Sequence, residues 1–143
     1  MTARYSKDFR AHIAALVQFF QGRMRMSEYT IKIKYSDKPD PDDKKEKDRS
    51  YHAEMHILPE YLTAELVIYP DCRRPYKKQD WRELADTIAH EVAHLITWPL
   101  YNRIPDKLIT DDANRENDQA TQRIADIVLS QVHTDNLRPG CVA

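Results

Sequence analysis

Apolar positions recur along this chain in two rhythms. Within residues 5–25, Phe9, Ile13, Leu16, Val17 and Phe20 fall at three- and four-residue intervals, which gathers them on one face of an amphipathic helix. Gly22 is the expected stop signal. Residues 29–35 change to an alternation of β-formers with polar residues, the two-residue period of a strand with one wetted face. Two more strand-like runs cover 51–58 and 63–69. In the second, Ala64, Leu66 and Ile68 alternate with Thr63, Glu65, Val67 and Tyr69, so bulk on both faces predicts a strand close to the core. The helical rhythm then returns. Asp80 is a good N-cap for a helix with Trp81, Leu84, Ile88, Val92 and Leu95 on one stripe, ending at Pro99. A loop through Arg103, Ile104, Pro105 and Asp106 leads to a second helix over 111–132, with Ala120, Ile124, Ile127, Val128 and Val132 on its apolar side. This order predicts an α+β fold: an N-terminal helix, a small three-stranded or larger mixed sheet, and two C-terminal helices.

Residues 37–50 break the pattern with two prolines and eleven charged residues, six of them acidic. Such a stretch buries too little apolar surface to offset the entropy of ordering, and an exposed charged loop is expected. Residues 133–143, with Pro139 and Gly140, read as an irregular tail. At 143 residues, a single domain is expected over 1–143. Lys and Arg number 22 against 23 Asp and Glu, a formal charge of −1. That balance provides no global field for nucleic acid or anionic membrane, so neither is expected as a partner. No apolar run approaches the roughly 20 residues of a membrane span, and the N-terminus lacks the apolar core of a secretory signal. A cytoplasmic location follows as an expectation. Cys72 and Cys141 stand far apart and form no C-x-x-C pair, so they are read as free thiols.

The chemistry concentrates in one pentapeptide, His90-Glu91-Val92-Ala93-His94. Residues four apart on a helix lie one turn above each other, so both imidazoles can reach one ion, with Glu91 facing water in an open position. At about 100° per residue, His90 and His94 point well away from the apolar stripe of the same helix. They face solvent or a cleft, and the small Ala89 and Ala93 with the apolar Ile96 and Trp98 favour the cleft. His52, Glu54 and His56 share one face of the 51–58 run. A polar face on a half-exposed strand is ordinary, and a metal site there is not expected.

Strands, then an H-E-x-x-H helix, then a helix able to supply a carboxylate resemble the zincin metallopeptidases. In size the chain is similar to minimal gluzincins, including short metallopeptidase-like proteins of phages and mobile elements. The resemblance covers about 63–132 and rests on the pentapeptide. Thr97 and Leu100 stand where a metzincin would have glycine and histidine, and the P-C-x-x-C of cytidine deaminases is absent.

The resemblance implies Zn2+ held by His90, His94 and a third ligand on the second helix. Gluzincins use glutamate, which favours Glu116, while register against Ile124-Ala125 favours Asp118. The two lie on nearly opposite flanks of a helix, so only one can serve, and both stay open. Glu91 would be the general base of peptide-bond hydrolysis by a zinc-activated water, on a peptide or protein substrate. Tyr76, Tyr101, Arg103 and Arg115 could each stabilise the oxyanion. The resemblance also places residues 63–69 at the cleft edge, where an extended peptide could add as a strand. Two alternatives remain: a non-catalytic binding protein on the same scaffold, or a zinc hydrolase of a non-peptide amide or ester. The oligomeric state is open.

Overall fold

The first helix begins where Ser6 accepts a hydrogen bond from the backbone N–H of Phe9 at 3.1 Å, and α1 runs Lys7–Arg23. A computed structural model describes residues 5–38, 52–101 and 111–142 of the chain. Phe9, Ile13, Leu16, Val17 and Phe20 are all buried, as their spacing predicts. Gly22 is not the stop. It lies inside α1, and the left-handed residue after the helix is Arg25, φ 55°. The turn closes through backbone bonds from Met24 to Phe20 and from Met26 to Gln21, while the Gln21 side chain donates to the carbonyls of Met26 and Tyr29.

Three strands form one mixed sheet: β1 (Thr30–Tyr35), β2 (Ala53–Leu58) and β3 (Thr63–Ile68), in the order β1-β3-β2. β1 runs parallel to β3, with Thr30 opposite Thr63 and Tyr35 opposite Ile68. β2 runs antiparallel to β3, with Ala53 opposite Ile68 and Leu58 opposite Thr63. The β2–β3 connection turns at Leu62, whose φ of 50° is left-handed. β3 is thus the central strand, which explains the bulk on both its faces: Ala64, Leu66, Val67 and Ile68 are buried. The expectation that residues 63–69 border a cleft is therefore corrected. A strand paired on both sides has no free backbone edge, and among the described residues β2 is the antiparallel edge strand.

After β3 the chain makes a 3-10 turn at Pro70–Cys72 and a short helix α2 (Arg73–Lys77), which the periodicity did not reveal because five residues are too few to show it. Helix α3 follows over Trp81–Tyr101. Asp80 caps it, its carboxylate accepting from the Glu83 N–H at 3.1 Å. Pro99 does not end α3. In the last turn its missing N–H forfeits a single ladder bond, and the helix runs on to Tyr101.

Helix α4 spans Asp111–Ser130. Its buried positions are Thr121, Ala125 and Leu129, with Ile124 and Val128 partly covered, whereas Ala120 and Ile127 are exposed. The covered face is thus rotated from the expected one. Val132 lies past the helix and is buried, and a 3-10 turn at Thr134–Leu137 buries Leu137 fully. Part of the expected tail therefore belongs to the core. Most of residues 37–50, and the loop containing Arg103 to Asp106, lie outside the described residues.

Helices α1 and α3 share one core with the inner residues of the sheet, among them Ile31, Ile33, Met55, Leu66 and Ile68. α3 also packs against β2 and against α4. Contacts between the two long helices run from Tyr101–Asn114 through Thr97–Thr121 to His90–Gln122, an antiparallel pairing. Among the described residues, no helix is long and apolar enough to cross a membrane.

Candidate metal centre

α3 is buried on most of its circumference. Leu84, Ile88, Val92 and Leu95 enter the core, as do Ala85, Ala89 and Ala93. His90 and His94 escape that enclosure only in part, both being intermediate in exposure. One helical turn separates them, and their rings lie 4.9 Å apart between centroids at 88°. Ligand-capable atoms of His90, Glu91 and His94 all fall within 4.8 Å of one another, so this group could hold a metal ion. No other trio of His, Cys, Asp or Glu gathers in this way among the described residues.

The His52, Glu54 and His56 face of β2 is not such a group. Glu54 instead accepts a hydrogen bond from the Tyr69 hydroxyl at 2.8 Å and faces His56 Nε2 at 3.6 Å.

α4 supplies the opposite wall. Asp118 Oδ1 stands 3.4 Å from His90 Nε2, and the His90 ring is only 17% exposed. Glu116 is exposed on another flank of α4. Gln122, one turn beyond Asp118, accepts from His90 Nδ1 at 2.8 Å. Its amide nitrogen donates to Asp86 at 3.0 Å and Asp126 at 2.8 Å. Two threonines pin the helices farther along. Thr121 donates to the Asn117 carbonyl at 2.8 Å, so the 2.8 Å contact between hydroxyls has Thr97 as its donor.

The electrostatics suit a cation. Burial, reinforced by the neighbouring His90 and opposed by Asp118, lowers the His94 pKa from 6.5 to about 4, so the ring is neutral at pH 7. Its Nδ1 is buried without a hydrogen-bond partner among the described residues. A neutral imidazole is the form that ligates metals. A charge-assisted N–H···O⁻ bond is about 2.7–2.9 Å long, so His90 and Asp118 at 3.4 Å are near neighbours rather than a closed ion pair. Glu91 is 7% exposed. Burial and the charges of Glu91 and Glu83 push the Cys72 thiol up to about 12. Imidazole and carboxylate are donors that a divalent first-row metal accepts.

Family models, curated proteins and solved structures offer no match to this chain. What is known of the site therefore rests on its own geometry.

Of the expected oxyanion donors, Tyr76 packs in an aromatic cluster with Phe9, His12 and Trp81. Tyr101 donates its hydroxyl to Asn114, and Arg115 is exposed beside Asp112 at 3.6 Å. Arg103 lies outside the described residues. Sequence reasoning missed Gln122, Asp86 and Asp126. The signal available was a polar stripe at i, i+4, i+8 along α4, Asp118-Gln122-Asp126, against an otherwise apolar helix neighbour.

Proposed function

We propose that this chain is a zincin-like metallopeptidase that holds Zn2+ through His90, His94 and Asp118 and uses Glu91 as general base. The supporting observation is the meeting of the H-E-x-x-H face of α3 with a carboxylate of α4. Asp118 Oδ1 and His90 Nε2 are 3.4 Å apart, and two ligands of one tetrahedral zinc, each about 2.0–2.1 Å from it, stand about 3.3–3.5 Å from each other. Asp118 is preferred over Glu116 because it borders both histidines, one by distance and the other through its field.

Zinc bound there would supply Lewis acidity that acidifies the attacking water. Glu91 would take the proton from that water and deliver it to the departing amine. Its low exposure keeps solvent from competing for that proton. The imidazole of His94, neutral through burial, keeps its lone pair for the ion. An extended peptide would add along β2, the antiparallel edge strand that packs against α3; the other edge of β2 pairs with no strand among the described residues.

The deciding test is Glu91→Gln with zinc and hydrolysis followed together. The expected variant keeps its zinc and loses about 10²–10⁴-fold in peptide cleavage. A variant that cleaves as fast as the parent would refute the assignment of Glu91. A parent that binds zinc but cleaves no peptide in a broad library would favour a non-peptide substrate or a binding role.

A further inference from the structure

Gln122 is a neutral residue placed between three charged or ionisable partners, and its hydrogen bonds leave it a single orientation. The amide nitrogen has two N–H bonds to give, and both are used, to Asp86 at 3.0 Å and Asp126 at 2.8 Å. Carboxylates are acceptors only. Turning the amide over would set its carbonyl oxygen against both of them, so Oε1 has to face His90. At 2.8 Å from His90 Nδ1, that oxygen can only accept. The proton of a neutral His90 ring is thereby held on Nδ1, and the lone pair is left on Nε2, the nitrogen that faces Asp118.

We propose that Gln122 is a positioning residue: its amide, clamped by Asp86 and Asp126, fixes the tautomer and ring angle of His90 so that Nε2 is presented to the metal. The inference rests on the metal reading above and deepens it. It also explains why two acids sit beside a site that needs only one carboxylate. Asp86 and Asp126 accept from the Gln122 amide and so orient the group that orients the ligand. One turn of α4 carries both functions, Asp118 toward His90 Nε2 and Gln122 toward His90 Nδ1. The ring is therefore held at Nδ1 and faced at Nε2 by residues of the same helix. His94 has no such grip on Nδ1, which is buried and without a partner among the described residues. The ordering of the two imidazoles is thus asymmetric. His90 is prearranged by a hydrogen bond at Nδ1, and His94 by burial of its ring.

The test uses full-length protein, first metal-free and then with zinc, comparing the parent with Gln122→Met and with Asp86→Asn/Asp126→Asn. In the metal-free parent at about pH 8, imidazole 15N spectra are expected to show His90 protonated at Nδ1 with a pyridine-type Nε2. Gln122→Met removes the acceptor at nearly constant length, and should move the ring toward the Nε2–H tautomer. Zinc affinity, read by chelator competition, should fall about 10–100-fold. The double asparagine variant keeps Gln122 but frees its amide to invert, so it should give a mixture of tautomers and a smaller loss; it guards against Gln122→Met failing to fold. Unfolding by urea is measured alongside, because a purely structural Gln122 would change stability without changing the tautomer. His90 found as Nε2–H in the parent, or a tautomer and zinc affinity both unmoved in the variants, would overturn the proposal. A parent with the stated tautomer response and no zinc affinity would overturn the metal reading and leave the clamp itself supported.

Discussion

His12 offers the sharpest test of the packing described above. It is 3% exposed, and both ring nitrogens are buried without a hydrogen-bond partner among the described residues. Tyr76 and Trp81 pack on it at 6.0 and 5.6 Å between ring centroids. Burial alone lowers its pKa from 6.5 to about 4. The folded protein therefore holds His12 neutral where the unfolded chain would already bind a proton. Its contribution is fully present above about pH 6.5 and is lost as pH falls toward 4. The whole span, about 2.5 pH units at about 1.4 kcal/mol each, is worth about 3 kcal/mol, of which about 2 kcal/mol is gone by about pH 5. His12→Leu abolishes this titration. Urea unfolding of parent and variant, both stripped of metal so that His94 behaves alike in each, should be run at about pH 7.5 and about pH 5. The parent is expected to lose about 2 kcal/mol more than the variant between the two. Any constant packing offset of the leucine cancels in that difference. Parallel losses, within about 0.5 kcal/mol, would mean that His12 finds a partner or water in the folded state and that this part of the core is not dry.

Three further outcomes bear on the fold. Leu66→Ala, at the fully buried centre of β3, should cost about 2–5 kcal/mol in chemical unfolding; a cost under about 1 kcal/mol would contradict its central place. Ser6→Ala removes the cap of α1 and should cost about 1 kcal/mol by the same assay; no change would mean that the bond to Phe9 contributes nothing. Cys72 is fully buried with its thiol pushed up to about 12, while Cys141 is exposed. A thiol reagent should therefore titrate one cysteine in native protein and two after denaturation, and two fast thiols in the native state would contradict the burial of Cys72.

Periodicity made the long elements legible because each buries one continuous face. The stripe of α1 transfers directly into burial, the alternation of β1 appears as alternately exposed and half-buried positions, and Asp80 marks the start of α3 by its side-chain chemistry alone. Ends were harder to read. Gly22 was expected to stop α1, yet Arg25 takes the left-handed turn; Pro99 was expected to stop α3, yet a last-turn proline breaks little. On α4 the apolar pattern was misleading, because the face toward α3 is lined by Thr121, Gln122 and Asp118 as well as by Ala125 and Leu129. A polar site between two helices draws polar residues inward, and the hydrophobic pattern then understates which face is covered. The pentapeptide at 90–94 was visible because its spacing is set within one helix. Strand order, and with it the central place of residues 63–68, depends on tertiary pairing that no local pattern carries. The same holds for Gln122, whose partners come from two helices.

The central claim is that α3 and α4 together hold a metal. Elemental analysis of protein purified without a histidine tag, run beside His90→Ala, Asp118→Ala and Glu116→Ala, tests it most directly. Near-stoichiometric zinc is expected in the parent and in Glu116→Ala, with loss in His90→Ala and Asp118→Ala. No metal in the parent after zinc addition would contradict the claim, and zinc lost in Glu116→Ala but kept in Asp118→Ala would overturn the choice of third ligand.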